Sequence, residues 1–165
     1  MQALTYKTRI INDMGSLYII YYDAVANGQK KILPENWQKL SPQTSIAIGV
    51  SIDCGGREIV ISLTEAHQQL SEIDAINYCA DHYKDAEHVD CLTWRVPTLQ
   101  ELKIIRRHRR HIDMIMTTIF GMRIKLARYW GVDADSHKMQ RVFVRNGHAS
   151  TSEAGLANIR PVAYL

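Results

Sequence analysis

The stretch Trp94-Arg-Val-Pro97-Thr98-Leu-Gln-Glu101 constrains this chain more tightly than any other. Pro97 forces Val96 into extended backbone, so no helix runs through it. Thr98 then offers its hydroxyl as an N-cap. Glu101, three residues on, reaches back to the cap's own amide, which completes a capping box. A helix therefore starts here, and Leu99, Leu102, Ile105 and Ile104 form its buried stripe. A further helical segment is expected over about Ile112–Phe120, stopped by Gly121. An earlier helix is expected from a Ser71 cap to about Asp85, with Ile73, Ile76, Tyr78 or Cys79, and Tyr83 recurring near helical spacing.

The residues before and after these helices read as strands. Ser16–Tyr22 is aromatic and β-branched, Asn27-Gly28 is a hairpin turn, and Lys30–Leu33 is the return strand. Pro34–Pro42 reads as a loop. Ser45–Asp53 and Glu58–Leu63 form a second hairpin around Cys54-Gly55-Gly56. After the helices, Ala127–Trp130 and Gln140–Arg145 are extended, Asn146-Gly147 is a turn and Ser150–Gly155 is a small-residue loop. Ile159–Leu165 is a terminal strand whose Pro161 favours an edge. Strands, then helices, then strands predict an α+β fold rather than an alternating α/β one.

The length of 165 residues predicts a single domain spanning 1–165. A net charge of +3 excludes a global polycation, so any basic site must come from local clustering. The apolar run at residues 17–22 is far below the ~18 residues of a membrane span, so no membrane insertion is expected. The start MQALTYKTRI has no apolar core and no small-residue cleavage site, so no secretory signal is expected and the chain reads as cytoplasmic by sequence. Three cysteines, Cys54, Cys79 and Cys91, read as free thiols, with a Cys79–Cys91 bridge as the alternative.

Lys103-Ile-Ile-Arg-Arg-His-Arg-Arg-His111 is the sharpest chemical feature. Lys103, Arg106, Arg107 and Arg110 fall at i, i+3, i+4 and i+7, on one helix face. Arg109, His108 and His111 add to the run. Guanidinium forks pair bidentately with sulfate or phosphate oxygens, so Lys103, Arg106, Arg107, Arg109 and Arg110 are candidate polyanion ligands. The competing reading is a solvated helix C-terminus whose cations complement the helix dipole. Asp133 and Asp135, even with Glu153, fall short of the ~6–8 oxygens that calcium needs. The seven histidines show no metal-site spacing, so neither a metal nor a cofactor is expected. No nucleophile–base arrangement emerges from His88 and Cys91 or from Cys79 and His82, so catalysis is not expected. Tyr129 should point opposite to Trp130 in a strand, which makes it a candidate for a ligand surface.

Several motifs, in order, resemble a family of bacterial domains that includes the C-terminal domain of collagen-like adhesins. Trp94-Arg-Val-Pro-Thr-Leu-Gln-Glu-Leu102 is similar to its helix-start signature. Ala80-Asp81, Arg128-Tyr129-Trp130, Val142-Phe-Val-Arg-Asn-Gly147 and Asn158-Ile-Arg-Pro-Val162 are similar to motifs that accompany it. Upstream, Gly49-Val50 and Ile59–Ala66 resemble the strand pair before the helices. The resemblance covers about Ala47 to Leu165. It implies a C-type-lectin-like fold, with two or three helices packed on small antiparallel sheets and N- and C-terminal strands close together. It also implies that Trp94 and Trp130 are structural, that display is at the cell surface, and that ligands meet the loops Val132–Lys138 and Asn146–Gly155. That adds Asp133, Asp135, His137, Asn146 and His148 to the ligand-surface candidates. Where the family continues with serines and a glutamate after its Tyr-Trp pair, this chain has Gly131-Val-Asp-Ala-Asp135.

The expected function is a non-enzymatic ligand-binding or adhesion module that recognises a sulfated or phosphorylated polyanion or a glycan. The alternative is an intracellular, phage or mobile-element protein with the same fold, serving structure or protein interaction. The expected partner is a glycan or other polyanion, or a protein; nucleic acid is less favoured, and a homo-oligomer stays open.

Overall fold

The structure, a computed structural model, describes residues 17–84, 92–150 and 155–165. Cys91, His88 and Glu153, and with them the expected Cys79–Cys91 pairing and most of the expected loop after Ser150, lie outside the described residues.

The fold is α+β. Strands β1 (Tyr18–Asp23), β2 (Gly28–Ile32), β3 (Ser45–Asp53) and β4 (Glu58–Ser62) come first. Helices α1 (Glu72–Ala80) and α2 (Leu99–Thr118) follow, then β5 (Arg128–Val132), β6 (Met139–Phe143), β7 (Ala149–Ser150) and β8 (Val162–Tyr164). Among the described residues the strands form two antiparallel sheets, ordered β2-β1-β3-β4-β8 and β5-β6-β7. The terminal strand thus returns to the sheet built by the earliest ones, with Val162 opposite Ile61. It takes the edge, where Pro161, which has no amide hydrogen, leaves no ladder bond unmade; its carbonyl accepts from the Ser62 amide at 3.0 Å.

Both hairpin turns use backbone that ordinary residues avoid. Asn27 sits at φ 51°, a conformation asparagine tolerates, and Gly55 and Gly56 sit at 74° and 89°. The pairing of β1 with β3 shifts register between Ile20 and Tyr21. At that shift Gly49 lies so close to β4 that a side chain would press on the Ile61 carbonyl and meet Val60 Cγ1 at 2.7 Å. The segment expected as a loop after Leu33 instead forms a 3-10 helix, Pro34–Lys39, started by Pro34. Its Trp37 packs edge-on against Tyr21, with ring centroids 5.7 Å apart.

The principal core lies between one face of the five-stranded sheet and α2. Ile19, Val50, Ile52, Ile59, Ile61 and Val162 meet Leu102, Ile105, Ile112, Ile115, Met116 and Ile119. Each such side chain stabilises the fold by about 1.5–3 kcal/mol relative to exposure. The opposite sheet face packs Ile20, Ile48, Val60 and Ala163 against Trp94. A third cluster joins Ala75 and Cys79 of α1 to Trp130, Val96, Ala157 and Ile159.

Two helix expectations need correction. The segment from Thr98 is one continuous helix through Thr118, not two. No glycine or proline interrupts it, arginine is a good helix former, and half-buried His108 and Arg109 bridge the apolar stripe from Ile105 to Ile112. Helix α1 ends at Ala80, not near Asp85, and buries the small residues Ala75 and Cys79. Ile73 and Ile76, read as part of its stripe, are 70% and 46% exposed.

Candidate anion-binding site

The start of α2 is fixed by the chemistry its sequence carries. Thr98 Oγ1 accepts from the Glu101 amide at 3.1 Å, and Glu101 Oε2 accepts from the Thr98 amide at 2.7 Å. Arg95 then forks onto both Glu101 oxygens at 2.7 and 2.8 Å. Burial pushes the Glu101 carboxyl upward, but the Arg95 fork and the Thr98 amide outweigh it and hold the group below its ordinary range. With the inward face of α2 committed to the sheet, Lys103, Arg106, Arg107 and Arg110 are left exposed.

None of these four cations has a carboxylate within ion-pair distance among the described residues. His108 senses the surplus. Its imidazole is held below the ordinary histidine range by burial and then by the charges of Arg107 and His111. Its Nδ1 is buried with no hydrogen-bond partner among the described residues.

Arg109 does not belong to this free face. It is half-buried and donates to Asp113 Oδ2 at 2.9 Å, while Asp113 Oδ1 accepts from the Ile124 amide at 2.8 Å. Its position four residues before an aspartate turns it inward to brace the loop that follows α2.

The turn between β6 and β7 flanks the basic face. Gly147, at φ 77°, lies flat on Arg106: a side chain there would sit 3.1 Å from Nη1 and 3.4 Å from Cζ. That backbone favours glycine, and a side chain there would make the Arg106 guanidinium give way by a few tenths of an ångström. The Gly147 amide closes the turn on the Phe143 carbonyl at 2.7 Å, and Asn146 Oδ1 accepts from the His148 amide at 3.1 Å. Asn146 and His148 are exposed beside this contact, and so is Arg145, which the sequence reading missed. The available signal was a lone arginine next to an Asn-Gly turn. Its proximity to α2 is a long-range contact that no local pattern carries.

Asp133, Asp135 and His137 lie at the other end of the β5–β6 hairpin. Val132 pairs with Met139 at their end, whereas Arg128 pairs with Phe143 at the end that carries the Asn146 turn. The two loops stand roughly 15 Å apart along the strands and do not form one surface. Their polar groups close the turn: Asp133 Oδ1 accepts from the Asp135 amide at 3.0 Å, and the His137 amide donates to the Asp133 carbonyl at 2.8 Å. The Asp133 carboxyl lies below its ordinary range, chiefly through the Asp135 amide and the Ser136 hydroxyl.

Tyr129 is not on a ligand surface; it is 1% exposed. It does point opposite to Trp130, but β5 is covered on both sides, Tyr129 entering the principal core and Trp130 the α1 cluster. The Tyr129 hydroxyl donates to Glu65 Oε2 at 2.7 Å and accepts from the Lys125 amide at 2.9 Å. Burial and then the Glu65 charge raise its pKa.

The remaining reactive groups are muted. Burial pushes the thiols of both Cys54 and Cys79 up to about 12. Ser62 Oγ lies 2.6 Å from His82 Nε2, but Ser62 is fully buried. Among the described residues no group of three or more His, Cys, Asp and Glu side chains is placed to hold a metal ion. No described helix is long and apolar enough to cross a membrane.

What the arrangement can do is present a row of guanidinium and ammonium donors, supported by a rigid helix and by a turn seated on one of them. No protein-family model, curated protein or solved structure matches the chain, so the case for its function is made by this geometry.

Proposed function

We propose that the chain is a non-enzymatic binding module of C-type-lectin-like shape that grips a sulfated or phosphorylated polyanion along α2. The observation that carries this reading is the set of four exposed cations, Lys103, Arg106, Arg107 and Arg110, on one helix face without carboxylate partners among the described residues. These cations do not serve the helix dipole, because α2 runs on to Thr118 and its last turn holds no basic residue. A rigid row of forks suits the repeating oxyanions of a linear polymer, because each contact releases a counterion. Arg145, exposed at the turn, adds a further cation. The lectin-like shape is supported by the return of β8 to the sheet of the earliest strands and by the bridge between Arg95 and Val162.

Retention on immobilised heparin at low salt is the direct test. Replacing Lys103, Arg106, Arg107 and Arg110 together with alanine is expected to abolish retention and leave the fold intact. Arg109→Ala is expected to lower stability and keep retention, since Arg109 is engaged with Asp113. Unchanged elution of the fourfold variant would defeat the proposal, and preferential binding of duplex DNA over heparin would redirect it to nucleic acid. A second reading, a protein-contact role, is favoured by the exposure of Ile73 and Ile76 on α1.

A further inference from the structure

A site of opposite charge runs along α1. A cleft of about 610 Å³ opens there, within the range of roughly 300–1,000 Å³ typical of small-ligand sites. Asp74, Asn77, Tyr78 and Asp81 line it from i, i+3, i+4 and i+7, one face of the helix. His82 and Tyr83 close one end, and the three rings form a cluster. The His82 centroid lies 5.3 Å from Tyr78 and 4.1 Å from Tyr83, and Trp94 abuts both His82 and Tyr83 edge-on. Tyr83 is held at φ 59°, a left-handed conformation that aromatic residues rarely adopt.

The imidazole brings no charge. It is hydrogen-bonded to Ser62 Oγ at 2.6 Å, a hydroxyl that also accepts from the Thr64 amide at 3.1 Å and donates toward the Tyr83 hydroxyl at 3.4 Å. Burial, with Arg160 next, holds the His82 pKa down to about 4. The charged groups lining the cleft, among the described residues, are therefore the carboxylates Asp74 and Asp81. An ammonium already visits one of them: Lys84 Nζ lies 2.7 Å from Asp81 Oδ1, with both side chains well exposed.

We propose that this cleft binds a small organic cation, an ammonium or guanidinium group seated between Asp74 and Asp81 against the Tyr78, His82 and Tyr83 rings. Aromatic faces attract cations through their quadrupole, and carboxylates supply the matching charge. The proposal is independent of the anion site on α2, because the two surfaces select opposite charges.

An amide NMR titration of the full chain with choline, and with its neutral carbon isostere, is the test. Choline is expected to move amides of residues 68–84 saturably and leave α2 unmoved, and the isostere is expected to bind roughly tenfold more weakly. Asp81→Asn is expected to weaken choline, and Lys84→Ala, which removes the competing ammonium, to strengthen it. Asp74→Asn should also weaken it, but Asp74 accepts from Ser71 Oγ at the start of α1, so Asp81→Asn is the variant that keeps the fold. Equal binding of choline and isostere, stronger binding of a methyl glucoside, no shift at the highest soluble concentration, or unchanged affinity in a folded Asp81→Asn protein would each overturn the proposal.

Discussion

Arg160 shows how much one side chain can hold. It is 2% exposed, and its two terminal nitrogens reach five acceptors: the carbonyls of Ser62, Leu63, Met122 and Arg123, and Glu65 Oε2 at 3.0 Å. Glu65, itself buried, also accepts from the Tyr129 hydroxyl through Oε2, and from the rim Lys125 Nζ forms an ion pair with Oε1 at 2.8 Å. Three chain segments thus meet on one guanidinium, whose planar fork a lysine ammonium cannot reproduce. Arg160→Met should leave Glu65 short of a buried partner and cost about 3–5 kcal/mol, read as a fall in the denaturant midpoint. A loss below about 1 kcal/mol would mean that this knot is incidental. His82 sets an acid limit. Its folded pKa of about 4 lies below the ordinary 6.5, so the unfolded chain takes up the proton first. Stability is then expected to decline as pH falls below 6.5 and to complete that loss near pH 4. Replacing His82 with glutamine, whose amide can hydrogen-bond Ser62 as donor or acceptor, should flatten this part of the profile in chemical denaturation.

At the scale of elements, α2 is well started and poorly stopped. Its end turns through Phe120 at φ 59°, with the phenyl ring 98% exposed, before the Gly121 amide closes on the Met116 carbonyl at 2.7 Å. Glycine is the residue this left-handed position prefers. Phe120→Gly should therefore stabilise the protein by about 0.5–1 kcal/mol in thermal unfolding, and a loss would show that the ring has packing value in the free chain. Gly121 has its own reason to be glycine, because a side chain there would sit 2.7 Å from Met116 Sδ. The start of α2 was legible in sequence because Pro97, Thr98 and Glu101 act within one turn. Its continuity was not, because the apolar stripe passes through half-buried His108 and Arg109, whose burial depends on the fold and not on a local pattern. The isoleucines of α1 misled for a related reason: the helix packs through Ala75 and Cys79, and tertiary approach rather than hydrophobicity chose that face. Tyr129 obeyed strand alternation yet is buried, since a second covering layer is invisible to a local pattern. The cationic row was readable residue by residue, but the departure of Arg109 and the docking of Gly147 on Arg106 depend on contacts made by the fold.

At the scale of the molecule, the returning β8 and the bridge of Arg95 to Val162 tie the chain's last strand to the entry of α2, so the basic face is mounted on the same core as the sheet. The net charge of +3 conceals a division. Cations gather on α2 and at the neighbouring turn, and carboxylates line the α1 cleft. This separation predicts a polyanion complex governed by counterion release rather than by apolar contact. Anisotropy of a labelled heparin oligosaccharide, titrated across a salt series, measures that directly. With four cations engaged, the logarithm of the binding constant should fall against the logarithm of salt with a slope of about −3, and the fourfold alanine variant should bring the slope close to zero. A flat dependence in the unaltered protein, or the same slope in the variant, would contradict the assignment of α2 as the anion-binding face.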